Sequence, residues 1–312
     1  MKLIEFIDRF PNEESCEQHF KEEREKAGVT CKRCSGKQHY WMAKKKLYKC
    51  KSCYFMMSLK SGTVMENSKL PYRFWLITLH LLTSTKKTIS ALELQRQLGH
   101  KYYEPIWAMV HKVRLVLGKR DSKYKLDENV EIDEAFYSVG YSLDTDSFTG
   151  EKEELKRGKG SQKKAKVMVM VSYKKLPKNL KNTNNIDSIP KYIKMKLIEN
   201  LESKTINKEV KDTVNPTSIV VTDGYSSFTD FENIFKKHIS YSMGKYESEK
   251  VLPWVHKAIT NSKNLIKAMH HGVRSEYLQN YLDEFCFKFN RRYFGEKVFD
   301  RSVIAAVTNV WY

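Results

Sequence analysis

The sequence predicts an α/β chain: a mixed sheet with flanking helices, preceded by a small cysteine-bearing module and a helical segment. Three observations carry this expectation. Two Cys-x2-Cys pairs lie within the first 60 residues. Residues from about 68 to 120 place apolar side chains at helical spacing. From about residue 129 the pattern becomes that of strands, and helices return near residue 259. The expected boundaries are therefore 1–60, 61–125 and 126–312.

The first module is read from Cys31-Lys-Arg-Cys34 and Cys50-Lys-Ser-Cys53, two pairs with 15 residues between them. Each pair forms a tight knuckle that aims two thiolates at one ion, the spacing of a four-cysteine Zn²⁺ site. Four thiolates close the tetrahedron, so the ion is structural and replaces a core too small to fold this zinc ribbon alone. An iron–sulfur centre is the alternative occupant. Arg33, Lys44, Lys45 and Lys46 stand around the site with Tyr40, Trp41 and Tyr48 interleaved. Basic and aromatic side chains in this mixture predict a grip on nucleic acid; the plain alternative is a solvated charged rim. Cys16 and Cys286 have no partner at ligand spacing and are read as ordinary thiols.

In the helical segment, Leu70-Pro71 opens a run through Phe74, Trp75, Ile77, Leu79 and Leu82, with Pro71 suited to a first turn. Ser90 is an expected N-cap, Glu93 completes a capping box with it, and Gly99 is an expected stop. A further amphipathic stretch, Ile106 to Leu117, gives the outline of a helix-turn-helix.

Strands are predicted from Val130 to Val139, from Lys166 to Tyr173, from Tyr192 to Ile198 (with a helix as the alternative there), from Ser218 to Gly224, and from Ser240 to Met243. Residues 144–164 are charged and glycine-containing, as in a hairpin loop or insertion. A polar helix precedes Pro216, and Ile259 to Met269 and Glu276 to Asn290 are expected helices. Asp133 falls within the first of these strands and Asp223 at the end of the fourth. Acids in apolar strands are costly without a cationic partner, and two carboxylates on neighbouring strands are suited to hold Mg²⁺ or Mn²⁺ for attack at phosphorus. Taken alone, Asp223-Gly224 would be a turn signal.

The overall balance fits a polyanionic partner. Lys and Arg number 56 against 37 Asp and Glu, a formal net charge of +19. Hydrophobic residues at 41% and charged residues at 30% exclude a disordered or fibrous chain. The N-terminal MKLIEFIDRF has no signal-peptide pattern, and no stretch approaches the about 18 apolar residues of a membrane span. A cytoplasmic, nucleoid-associated location is expected, or a nuclear one in a eukaryotic host.

Val-Glu-Ile-Asp-Glu at 130–134, Val-Thr-Asp-Gly-Tyr at 221–225, His256-Lys-Ala-Ile-Thr-Asn261-Ser-Lys263, and the block from Tyr277 to Arg292 resemble, in order, the motifs of ISXO-like insertion-sequence transposases. The resemblance spans nearly the whole chain. It implies an RNase H-like catalytic domain behind a zinc ribbon, acting on double-stranded DNA at terminal inverted repeats and at a target, with a homo-oligomeric synaptic complex. It also implies catalytic metals on Asp133, Asp223 and, as in the Asn-containing subgroup, Asn261. An amide oxygen ligates Mg²⁺ but adds no charge. The plain alternative for Asn261 is a helix N-cap, and the substitute acid is Glu284. Lys263, or Lys267 in its place, and His256 are the candidates for contact with the scissile phosphate, and Arg291 and Arg292 for the DNA backbone. A nuclease without strand transfer and a domesticated DNA-binding regulator are the competing readings.

Overall fold

The structure, a computed structural model, describes residues 1–140, 161, 163–176, 187–224, 226–241, 251–270 and 272–312. Most of the expected loop over 144–164 lies outside the described residues. The elements run α1 (Leu3–Arg9), α2 (Glu13–Ala27), β1 (His39–Met42), β2 (Leu47–Cys50), β3 (Met56–Ser58), α3 (Tyr72–Ser84), α4 (Ala91–Leu98) and α5 (Tyr103–Asp121). There follow β4 (Asn129–Ser138), β5 (Lys164–Lys175), β6 (Ser188–Ile198), α6 (Ser203–Thr213), β7 (Ile219–Asp223) and β8 (Lys237–Tyr241). The last are α7 (Pro253–His270), α8 (Ser275–Asn290) and α9 (Lys297–Thr308). They form two compact units, Met1–Asp121 together with Arg291–Tyr312, and Ser122–Asn290.

In the first unit β1, β2 and β3 form an antiparallel sheet. Arg24 of α2 is buried, and its guanidinium donates to the carbonyls of Ser58, Leu59 and Ser61, tying that helix to the chain leaving the sheet. The helical core stacks Trp75, Leu76 and Leu79 of α3, Ile106, Val110 and Val113 of α5, and Phe299, Val303 and Ala306 of α9. Pro71 stands one residue before α3, at its N-cap. It has no capping side chain, so Glu13 of α2 accepts from the amides of Tyr72 (2.6 Å) and Arg73 (2.9 Å). Ser90 caps α4 through the Glu93 amide (3.1 Å), and Gly99 ends it at φ 63°. Glu93's carboxylate leaves the expected capping box and takes Gln97 (2.8 Å) and Arg96 (3.6 Å) instead. The helix–turn–helix outline is present, but α5 is a core helix: past Glu104 none of its residues is exposed.

The C-terminal boundary differs from expectation. The expected unit of 126–312 ends at Asn290, and Arg291–Tyr312 rejoins the first unit. The apolar stripe of α9 fills the gap among α2, α3 and α5, with Phe299 edge-on to Phe6 at 5.8 Å. Sequence order alone assigns a terminal helix to its nearest neighbour; here burial outweighs proximity.

In the second unit the described strands pair in the order β6-β5-β4-β7-β8, with β4 antiparallel to β5, β5 antiparallel to β6, and β4, β7 and β8 parallel. Parallel pairing of β7 with β4 requires a crossover, supplied by α6. Of the expected strand over 240–243, Ser240 and Tyr241 are the end of β8, which begins at Lys237, and residues 242–243 lie outside the described residues. Alternation along the strands feeds two cores. Val130, Ile132, Met168, Met170 and Val220 pack with Ile206 and Val210 of α6 and with Phe228 and Phe231. Ala135, Tyr137, Val167, Val169 and Met195 pack with α7 and α8. Three antiparallel strands, then two parallel ones added beside the first, with helices on both faces, is the RNase H-like arrangement.

The edge strand β6 is closed by side chains. Gln279 of α8 accepts from the Leu197 amide (2.8 Å) and donates to the Met195 carbonyl (3.0 Å). One helical span later Asn290 does the same to Ile193, at 2.7 and 3.0 Å. Two amides thus stand in for a neighbouring strand. Gln279→Ala and Asn290→Ala are each expected to lower unfolding free energy by about 1–3 kcal/mol in a denaturant titration. Hydrogen exchange at the Leu197 and Ile193 amides, respectively, should accelerate in the same variants.

Candidate metal centres

In the ribbon, β1 and β2 pair His39 with Cys50 and so bring the two knuckles face to face. Cys31 and Cys53 Sγ lie 3.6 Å apart, as do Cys34 and Cys50, and the four sulfurs share one site within 4.8 Å. Tetrahedral Zn–S bonds of about 2.3 Å set the sulfurs roughly 3.8 Å apart, so the cage has the size of a zinc site. Knuckle amides face the sulfurs: those of Cys53 and Ser52 bring the Cys50 thiol down to about 6 despite burial. For Cys34 the Gly36 amide pulls downward, but the sulfurs of Cys53 and Cys50 outweigh it and push the thiol up to about 12. The four thiols cannot ionise together unless a cation compensates them. Gly36 packs closely against the cage: a Cβ there would stand 3.3 Å from both Cys34 Sγ and Ser52 Oγ.

Around this cage Arg33, Lys44 and Lys45 are exposed. Lys46 is exposed too but pairs with Glu17 at 2.6 Å. Tyr40, Lys49 and Met56 are cross-strand neighbours in register on the outer face of the sheet. The opposite row, Trp41, Tyr48 and Met57, turns inward, and Lys21 of α2 lies over the Trp41 ring at 5.1 Å. Lys51 lies over Tyr40 at 4.9 Å.

The second centre is built by register. Glu131 of β4 pairs with Val221 of β7, and two residues further along each strand come Asp133 and Asp223. Parallel pairing therefore sets side by side two acids 90 positions apart. Glu134 joins them: the three carboxylates each offer an oxygen within 4.8 Å of the others. Three like charges at that range repel strongly, and an all-oxygen donor set is what Mg²⁺ or Mn²⁺ takes. Glu134 stands in the same motif as Asp133 and is not among the expected ligands Asp133, Asp223 and Asn261.

On the α7 side, His256 Nε2 stands 4.0 Å from Asp133 Oδ2, buried and without a hydrogen-bond partner among the described residues. Lys263 follows seven residues later, about 20° around the helix from His256, so the two share an edge. Its Nζ lies 5.4 Å over the Tyr137 ring, and burial lowers its pKa while Asp133 pulls the other way. Tyr137 in turn bonds Ser262 at 2.6 Å, locking helix to sheet. Asn261 is exposed and lies about 140° around α7 from His256, turned from the edge that meets Asp133. Glu284 is buried in α8 and paired with Lys288 at 3.1 Å, outside the three-carboxylate cluster.

The two arginines expected on DNA differ in their surroundings. Arg291 is no surface clamp: it is buried and paired with Asp121, also buried, at 2.6 Å. Arg292 is half-buried with its guanidinium 4.4 Å over the Tyr293 ring. A second residue missed by sequence reasoning is Glu131. It is buried, its Oε2 accepts from the amides of Trp254 (2.8 Å) and Val255 (2.9 Å), and burial lifts its carboxyl to about 7 against the pull of those amides.

Residues 125–290 match the family model described as ISXO2-like transposase domain, and residues 11–54 match the transposase zinc-ribbon domain. The chain belongs to the ISXO2-like transposase family. Both halves of the match coincide with a centre described above, the thiolate cage in one and the carboxylate cluster in the other. No curated protein matches the chain. Among solved structures it is similar to the Mos1 strand transfer complex, at 13% identity over 78% of this chain and 81% of that one, with a TM-score of 0.29. A pre-cleavage Mos1 transpososome matches at 13% identity over 78% and 82%, with a TM-score of 0.26. The Mos1 paired-end complex with left transposon end matches at 13% identity over 79% and 82%, with a TM-score of 0.28. The assignment to the transposase family rests on the family match. No helix among the described residues is long and apolar enough to cross a membrane.

Purified protein is expected to carry about one zinc per chain by metal analysis. Cys50→Ser should lose the zinc and the fold of the ribbon together; full zinc content in that variant would refute the four-thiolate cage.

Proposed function

We propose that this transposase cuts and joins DNA strands at the ends of an insertion sequence, using divalent metal held by Asp133, Glu134 and Asp223. The observation that carries the reading is the convergence of three carboxylate oxygens within 4.8 Å, from two parallel strands of an RNase H-like sheet. A cluster of this kind without a cation would be electrostatically costly, and it suits Mg²⁺ or Mn²⁺. Bound in a pair, such ions would activate water or a 3′-hydroxyl and stabilise the leaving oxygen in an in-line displacement at phosphorus.

The chain's own residues do the rest. Lys263, on the α7 edge beside Asp133, offers positive charge to a phosphate oxygen, and His256 offers a ring nitrogen on the same edge. The Tyr137–Ser262 bond keeps that edge in place against the sheet. The exposed Arg33, Lys44 and Lys45, with Lys49 and Lys51 beside Tyr54 and Tyr40, make the ribbon the proposed grip on terminal inverted repeats. In the helix–turn–helix region the exposed positions are Leu92, Arg96 and Gln97 on α4 and Lys101 to Glu104 at the start of α5, while the rest of α5 is covered. Pairing two element ends calls for two copies of the chain, so a homo-oligomeric synaptic complex belongs to the same proposal. Asn261 keeps the place of third ligand only through the resemblance of its motif; the geometry favours Glu134.

With Mg²⁺ present, Asp133→Ala and Asp223→Ala are expected to abolish joining of a labelled element end to plasmid DNA while retaining DNA binding. Equal joining by wild type and both variants would remove the carboxylate site. Cleavage without joining by the wild type would turn the reading to a nuclease. In the same assay Glu134→Ala should cost more than Asn261→Ala, and the reverse order would restore the amide as third donor.

A further inference from the structure

Helix α7 begins at Pro253, and the residue at its N-cap is Leu252, whose buried side chain has no oxygen to offer. The first helical bond, from the His256 amide to the Leu252 carbonyl at 3.1 Å, leaves the amides of Trp254 and Val255 in need of an acceptor. Both find it in one atom, Oε2 of Glu131, at 2.8 and 2.9 Å. Glu131 reaches them from β4, 123 and 124 positions away in sequence. It is two residues before Asp133, so the two side chains leave the strand on the same face. One stretch of strand therefore supplies an acid of the metal cluster and, a step earlier, the cap of the helix that faces it.

We propose that Glu131 is a positioning residue for strand transfer. Its carboxylate fixes the first turn of α7 and thereby the presentation of His256 to Asp133. This rests on the proposed role of the carboxylate cluster. A local cap would stabilise α7 equally well but would leave the helix free to shift along or rotate against the sheet. A cap delivered by β4 ties the rotation of α7 to the strand that holds Asp133. The side chain is buried at 2% exposure, so water does not compete for its two donors. Because both amides go to a single oxygen, a glutamine carbonyl at this position retains the acceptor while losing the charge.

The test is a double-mutant cycle on the full-length protein, in single-turnover joining with Mg²⁺ and saturating labelled element ends. Glu131→Ala is expected to slow joining roughly 10- to 100-fold, the cost of a reactive geometry displaced by about an ångström, with the half-saturating DNA concentration unchanged. Glu131→Gln should restore the rate to within about fivefold of wild type, since its carbonyl still accepts both amides. In a His256→Ala background the further loss from Glu131→Ala should shrink to about twofold or less, because the two act as one unit. Thermal melts of each variant identify a temperature at which all remain folded. If Glu131→Ala does not fold at any temperature, Glu131→Gln in the two backgrounds decides: a rate within fivefold of wild type with no further loss beside His256→Ala supports the proposal. Additive losses in the cycle, or an equal loss from Gln and Ala, would overturn it. Asp133→Ala run alongside separates the two failures. A dead Asp133 variant with a flat Glu131 series sinks only this inference, whereas a fully active Asp133 variant sinks the metal site itself.

Discussion

The parallel pairing of β4 with β7 is the constraint on which the second unit turns. Its register, Glu131 against Val221, brings Asp133 and Asp223 to the same level, and a slip of one residue would send one of the two acids to the opposite face. That register is held by apolar residues on both sides of the strands, Val130, Ile132 and Val220 beneath and Ala135 and Val221 above. The helix α6 must be long enough to return the chain to a parallel neighbour, and β8 then extends the sheet past Asp223, against Tyr241. Carboxylates crowded within 4.8 Å oppose the pairing electrostatically, so the stability that holds them comes from the apolar layers rather than from the site.

Side chains from distant elements repeatedly do what local backbone does not. Helices α3 and α7 both follow a residue that cannot cap, Pro71 and Leu252, and both receive a carboxylate from elsewhere, Glu13 and Glu131. Gln279 and Asn290 supply to β6 the pairing that a sixth strand would have given. Each of these residues connects two elements, so the polar atoms define how the elements meet, while the apolar residues mainly supply the energy.

Much of this was legible in the sequence because it is written in local patterns. The thiolate spacing, the alternation of β4 and β5, the Ser90 and Gly99 limits of α4 and the two strand aspartates all follow from residues within a few positions of each other. What escaped is non-local. Helix α2 went unread because its buried stripe, Cys16, His19, Phe20 and Arg24, is half polar. Arg291 looked like a cation at a helix end available to DNA, and only the fold reveals Asp121 beside it. Glu131 and Glu134 were lost among acids in a single motif, since a sequence does not say which carboxylate meets amides and which meets other carboxylates. Asn261 shows the converse: its motif position was clear, and the helix rotation that turns it outward was not.

The return of α9 to the first unit bears on how the molecule is made. Ala306 accepts from the Val64 amide at 2.9 Å, and Phe299 completes the aromatic cluster of Phe6, Phe10 and His80. During synthesis the first 121 residues therefore leave the ribosome with their apolar interior open. The described strands and helices of the second unit are all complete before the chain reaches residue 291. The second unit is thus able to mature first, while the helical core of the first unit waits for α9. A chain broken off before α9 would keep Asp133, Glu134 and Asp223 and lack Phe299, Val303 and Ala306 from the core of the first unit.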